Sequence, residues 1–437
     1  MDDNINSRLK SCGISVSDIL LPKKGVDLEK WAVVACDQFT SEPEYWDKAD
    51  KLVNEAPSTL RITYPEVYLG KCDNEKKIRD INKEMMRYLK EGIFQTYWDS
   101  AVLVERKTET GTRYGLMLSL DLEAYSYAKD SKTLVRATEG TIISRIPPRK
   151  EIRKNAPLEL PHIMVLINDE KRSVIEPLVK KRDKLETIYD TDLMLDGGHL
   201  KGYLVNSDED LGNIATAIEE LKKNLLPENP LLYAMGDGNH SLATAKSCWE
   251  DIKQLITPEE QKYHRARYAL VEIENIFDPA LQFEPIHRVF FNTDIKDFNA
   301  EADKLCKSVK VEKVSSSDDI LSAINDKNSK QSFGLITDSG YYVYSLDEPK
   351  YSTAAKTMQE IIDIIIESKR GEIDYIHGVD VTEKLGKEKG NIGIILPDVS
   401  KETFFDAIIK DKAFPRKTFS IGHAHEKRYY MEARKIT

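Results

Sequence analysis

The stretch Leu231–Lys246, LLYAMGDGNHSLATAK, decides how the rest of the chain is read. Leu231 to Met235 is an apolar run of strand length. It breaks at Gly236-Asp237-Gly238, passes through Asn239-His240, and continues from Ser241 as an Ala-rich helical pattern. A helix N-terminus presents unpaired backbone N–H groups and the positive end of the helix dipole. Glycines let an anion approach that backbone closely, so Gly236, Gly238, Asn239 and Ser241 make a candidate phosphate cradle. An ordinary turn capped by Asp237 or Asn239 would show the same pattern. The Asp and His inside it add chemistry: Asp237 as a ligand for magnesium, which prefers oxygen donors, and His240 as a proton acceptor.

Upstream lies Leu134–Ile167, LVRATEGTIISRIPPRKEIRKNAPLELPHIMVLI. Arg136, Arg145, Arg149 and Arg153 crowd together near Glu139, and arginine's planar fork suits phosphate. A solvated basic helix is the competing reading. Pro147, Pro148 and Pro157 argue against a long regular helix there, and His162–Ile167 reads as a buried strand. Nearer the start, Trp31–Ala35 reads as a short strand ending at Asp37 and Gln38, a position where α/β proteins often place ligand contacts. Ser41 with Glu44 reads as a capping box for the next helix. Asn74–Glu91 is amphipathic, and a hairpin turns at Thr108–Gly111. Arg172–Thr187 and Asp208–Asn224 read as helices. His199 sits in a glycine turn.

Downstream, Tyr268–Ile273 reads as an apolar strand, and a His287-Arg288 pair enters another. Helices and strands alternate from about Thr293, and the chain reaches Phe414-Pro415-Arg416-Lys417-Thr418-Phe419-Ser420, a loop that groups Lys417 and Thr418 as phosphate ligands. The expected division is residues 1–290, a mixed α/β domain with the Glu139 segment and the glycine turn, and residues 291–437, an α+β domain whose C-terminal loop returns towards the site.

The chain's 437 residues allow two or three domains with real cores. A net charge of −10 argues against a nucleic-acid coat. Five dispersed cysteines, with no CxxC pair, fit reduced thiols rather than disulfides or zinc. The polar N-terminus is no signal peptide, and no apolar run approaches the roughly 20 residues that span a bilayer. A cytoplasmic protein is expected, with no membrane partner; a homo-oligomer is left open.

Four stretches together resemble the bacterial family known as the domain-of-unknown-function 1015 proteins: ATEGT around Glu139, GDGNHSLATA, EPIHRVF around His287, and FPRKTFS. The resemblance spans about residue 15 to 435. The commoner family pattern is ADGHHRYxAA, so Asn239 stands where the family has its first His and Ser241 where it has an Arg. The turn Gly236–Ser241 is also similar to that of the ParB/sulfiredoxin-like superfamily, whose members bind nucleotide phosphates there and include kinases of free serine. The resemblance implies an α+β fold with a mixed-sheet core, and ATP or ADP with Mg2+ as cofactors.

The function expected is a nucleotide-dependent phosphotransferase acting on a small hydroxyl metabolite, with free serine as acceptor. Glu139 would take the alcohol's proton, with His240 as alternative, and Arg145, Arg149, His287, Arg288 and Lys417 would neutralise phosphate charge. Two alternatives stand beside it. One is a phosphoserine phosphatase using the same anion site, the other a non-catalytic, nucleotide-responsive binding protein. The partner in each case is a small molecule, not nucleic acid.

Overall fold

The helix Asn74–Glu91 shows how locally some of this chain is determined. Asp73 accepts a hydrogen bond from the Lys76 N–H (3.0 Å), and Gly92 closes the helix in the left-handed region at φ 66°. Between these caps Ile81, Met85 and Tyr88 form one buried stripe. The computed structural model describes residues 2–326, 330–368 and 371–437, and the architecture is α+β. It divides into two units, Met1–Gln282 with Gly422–Thr437, and Phe283–Ile421. The boundary expected at 290/291 falls inside the strand Phe283–Phe291, and residues from Gly422 onward group with the first unit.

The first unit is built on a mixed sheet. Across it the strands run Tyr125–Ser126, Val135–Arg136, Tyr233–Asp237, Met164–Ile167, Tyr268–Asn275, Gly111–Asp121, Phe94–Thr108, Gly198–Val205 and Thr187–Leu193. Side chains alternate between two cores, as strand geometry requires. Ala101 and Leu103 enter the core covered by helices Asp3–Ser11, Asp208–Lys223 and Asn239–Lys253. Val102 and Val104 enter the opposite core, with Trp31, Trp46, the helix Asn74–Glu91 and the segment Tyr429–Ile436.

That C-terminal segment also supplies charge to the buried sheet. Tyr268–Asn275 is buried at every position, yet it carries Glu272. Arg428 bonds both Glu272 and Glu432, all three side chains being at most 3% exposed. Arg434 bonds Glu159 at 2.7 Å.

Three local expectations are corrected. Trp31–Ala35 is not a strand: Asp27 caps a short helix, Leu28–Trp31, and the following residues are extended with one bridge, Val34 to Tyr429. Its partner lies at the far end of the sequence, beyond any local signal. Ser41 and Glu44 form no capping box, because the helix starts at Pro43, whose fixed φ suits a first turn. Arg172–Thr187 is α-helical only over Glu176–Lys180, followed by a 3-10 turn at Arg182–Lys184, since the Asp169 carboxylate accepts from the N–H groups of Ser173 and Val174 and holds the start as a turn, and a strand begins at Thr187.

The second unit is an antiparallel sheet in the order Ser308–Val314, Gly340–Asp347, Ser332–Thr337, Ile392–Ile395, Phe283–Phe291, Glu372–His377, with Phe419–Ile421 continuing beside Phe283–Phe291. Helices Ile295–Leu305 and Ala354–Glu367 cover one face, and Ser317–Ile324 packs on the other. Among the described residues no helix is long and apolar enough to cross a membrane.

His287 is buried in this unit, and its Nδ1 accepts the Leu396 N–H at 3.2 Å. Burial, then Arg288 and His377, push its pKa from 6.5 down to about 4. The unfolded chain therefore binds a proton below pH 6.5 that the folded chain refuses until about pH 4. The stability this neutral imidazole contributes is complete above pH 6.5 and is lost as pH falls through that window. We expect a decline on the order of 1–3 kcal/mol between pH 7 and 4, part of which His287→Gln removes. Urea melts across that range check it; identical slopes in both proteins would refute it.

Candidate functional site

The turn after Tyr233–Asp237 forms as its glycines suggest. Gly238 is the N-cap of Asn239–Lys253 with φ 80°. A Cβ there would also lie 3.1 Å from Ile163 Cα, so the conformation favours glycine and the space leaves little room for a side chain. No cap side chain shields the helix start, and the first intrahelical donor is Leu242 N–H, to Gly238 O at 3.0 Å. A helix leaves its first N–H groups without an intrahelical carbonyl, at the positive end of its dipole.

A loop from the Glu139 segment is tied across this helix end. Thr138 N–H donates to Asn239 Oδ1 (3.2 Å) and Ile142 N–H to His240 Nε2 (3.3 Å). Three peptide units separate Glu139 from Ile142, so the Glu139 backbone lies within about 13 Å of the His240 ring. Asn239 thus holds the Glu139 loop. His240 uses its Nε2 lone pair on a backbone amide, which favours Glu139 over His240 as a proton acceptor.

Asp237 faces Lys427, with Oδ2 3.1 Å from Nζ, while Oδ1 accepts from Gly238 N–H at 2.8 Å. Burial opposes ionisation, but Lys427 and the amide hold its pKa below the usual carboxylate value. The expectation of a magnesium site on Asp237 does not fit this donor set. Its carboxylate is salt-bridged, and among the described residues no group of three His, Cys, Asp or Glu side chains could hold a metal. The cation presented here is Lys427.

Beside the helix start is a cavity of about 150 Å³. Arg149, ion-paired with Glu66, stands at one side, and Ile81, Met85 and Leu158 form apolar wall. Ser241, His162, Tyr430 and Cys36 make its polar end. Ser241 Oγ is 2.7 Å from His162 Nε2, and His162 Nδ1 is 2.9 Å from the Tyr430 hydroxyl, which accepts from Cys36 N–H at 3.0 Å. Asp37 Oδ2 lies 4.0 Å from His162 Nε2. Burial pushes the Cys36 thiol and the Tyr430 phenol up, so both stay protonated at neutral pH.

The fold therefore brings together the Glu139 loop, Gly236 to Ser241 and Arg149. Arg145 is exposed and accepts at its carbonyl from Arg149. His287, Arg288, Lys417 and Thr418 belong to the second unit. Arg288 is fully buried there and donates to the carbonyls of Ile286, Arg416 and Lys417, so with His287 it is a structural group rather than a phosphate ligand. Thr418 is buried, its hydroxyl donating to Pro415 O at 2.7 Å, and Lys417 is exposed, over the Tyr375 ring. His199 lies between Asp190 and Asp192 on the neighbouring strand, away from the turn. Sequence reading missed His162, Lys427 and Tyr430. The signals were a lone His opening a buried strand and a dense KRYY at residues 427–430.

The chain matches the family model described as "Protein of unknown function (DUF1015)" over residues 20–365, most of its length. No curated protein matches it in sequence. Among solved structures it is similar to a free serine kinase in complex with AMP (TM-score 0.38, 10% identity, 73% of this chain and 92% of that one). It is also similar to a conserved hypothetical protein from Pyrococcus furiosus (0.34, 11%, 72% and 90%). A third is SbnI with a C-terminal truncation from Staphylococcus aureus (0.33, 7%, 70% and 82%). At these scores the structural likenesses carry no weight in assigning a role.

Proposed function

We propose that this chain, which belongs to the DUF1015 family, is a nucleotide-dependent phosphotransferase whose acceptor is a small hydroxyl metabolite, free serine in the first instance. One observation carries the reading: the Glu139 loop is hydrogen-bonded through Thr138 and Ile142 to the first two residues of a glycine-capped helix. The segment that carries Glu139 is thereby tied beside the start of that helix. Phosphoryl transfer asks the protein mainly to position an alcohol in line with a phosphate and to neutralise charge. The helix start supports phosphate binding, Lys427 and Arg149 support neutralisation, and Glu139 supports deprotonation of the alcohol. No step is assigned to a metal held by the protein.

The test is phosphorus NMR of the protein with serine and either magnesium–ATP or magnesium–ADP. Phosphoserine forming only when nucleotide is present is the expected result. Inorganic phosphate released from phosphoserine alone would replace the proposal with a phosphatase. A nucleotide that raises the melting temperature without either product would replace it with a binding protein; at 100 times its Kd such a ligand adds about 2.7 kcal/mol.

A further inference from the structure

We infer that Ser241 is a nucleophile, with His162 as its base, that accepts the phosphoryl group before the acceptor alcohol does; this rests on the phosphotransferase reading above. The arrangement has the three parts that mark an activated hydroxyl: nucleophile and base within hydrogen-bond reach, and a third group that orients the base. Ser241 Oγ is 2.7 Å from His162 Nε2, and Tyr430 holds Nδ1 at 2.9 Å. All three line the same cavity, and the His162 side chain is only 10% exposed, so the base is fixed and largely shielded from water.

The contrast with Thr244 on the same helix is informative. Its hydroxyl makes the ordinary back-bond of a helical threonine, to His240 O at 2.7 Å. Ser241 is turned to an imidazole instead. Helical side chains lean towards the N-terminus, which brings Oγ to the end where a phosphate would rest.

With the Ser241 O–H donating to Nε2 and the His162 Nδ1–H donating to the Tyr430 oxygen, the step balances as follows. Oγ attacks the terminal phosphorus of the nucleotide, the Oγ–P bond forms, and the bond from phosphorus to the bridging oxygen breaks. The shortened nucleotide leaves with that electron pair. The serine proton moves to His162 Nε2, where Asp37 at 4.0 Å offsets the imidazolium charge. The acceptor alcohol then loses its proton to Glu139 and attacks the same phosphorus; Oγ–P breaks and His162 returns its proton to Ser241. The position where the family carries an Arg thus serves here as a covalent relay.

The test uses the full chain and two probes. A fluorophosphonate, which traps activated serines without any nucleotide, should modify Ser241 in peptide maps, at least about tenfold more slowly in His162→Gln and not in Ser241→Ala. Magnesium–ATP or magnesium–ADP without acceptor should leave a phosphoryl group on the same residue, and added serine should remove it. Wild-type protein with no phosphonate on Ser241 overturns the nucleophile. Phosphoserine made by Ser241→Ala at the wild-type rate overturns it too, while leaving the phosphotransferase standing. Phosphonate labelling with no phosphoryl transfer from either nucleotide overturns the phosphoryl step and the reading beneath it. The unmodified wild-type map decides the first point even where a variant folds poorly.

Discussion

Glu139→Gln should transfer phosphoryl groups roughly 10²–10⁴-fold more slowly than the wild type, the range that a positioned general base contributes, while nucleotide binding stays within about twofold. Glutamine keeps the size and reach of the side chain and removes its basicity together with its negative charge. The amides of Thr138 and Ile142 tie the loop to Asn239 and His240, and neither bond involves the Glu139 side chain. The phosphate cradle should therefore survive. If Ser241 is the relay, this variant also accumulates the phosphoryl-enzyme, because the second step is the one that needs Glu139. Steady-state turnover beside nucleotide melts separates the two effects. A variant with the wild-type rate would remove Glu139 from the chemistry, and one that no longer binds nucleotide would make it a structural residue.

Arg428→Met should destabilise the first unit by about 3–5 kcal/mol. The guanidinium lies between the carboxylates of Glu272 and Glu432, and its third partner is the Pro161 carbonyl at 3.0 Å. Methionine fills similar space but leaves two carboxylates buried without a cation, and it is that isolation which costs, more than the lost attraction. Adding Glu272→Gln and Glu432→Gln should recover a large part of the loss, which a simple packing defect would not allow. Denaturant titrations of the single and triple variants give the comparison. A single variant within about 1 kcal/mol of wild type would show that the cluster is not held as described.

How much of this was legible in the sequence depended on how local the cause was. Asn74–Glu91 could be read to the residue because its caps adjoin it directly and its apolar stripe lies between them. The strand, the turn and the helix after it were legible for the same reason, but Gly236 and Asp237 complete the strand Tyr233–Asp237 and the helix already starts at Asn239, each two residues away from the boundary that the sequence suggested. Trp31–Ala35 was misread because its order comes from residues 428–430, far along the chain. The site divides likewise. The turn was visible, but Thr138–Asn239 and Ile142–His240 are contacts between residues about a hundred positions apart, and His162–Tyr430 spans more still. No periodicity or spacing encodes such pairs. His287 and Arg288 show the converse, since a motif that looked made for phosphate is used up inside a core.

The return of Gly422–Thr437 to the first unit also sets a timetable. Ribosomes deliver residues in order, so all of Phe283–Ile421 emerges before the segment that carries Lys427, Arg428 and Tyr430. Until then Glu272 lacks its cation, Asp237 lacks Lys427, and the Trp31 indole lacks the Met431 carbonyl that it reaches at 3.0 Å. Contacts of such high sequence separation form late and slowly. The second unit can complete its sheet during synthesis, whereas the first must wait as an open half-structure. A released chain truncated before Gly422 should consequently hold a protease-resistant second unit and a digestible first one.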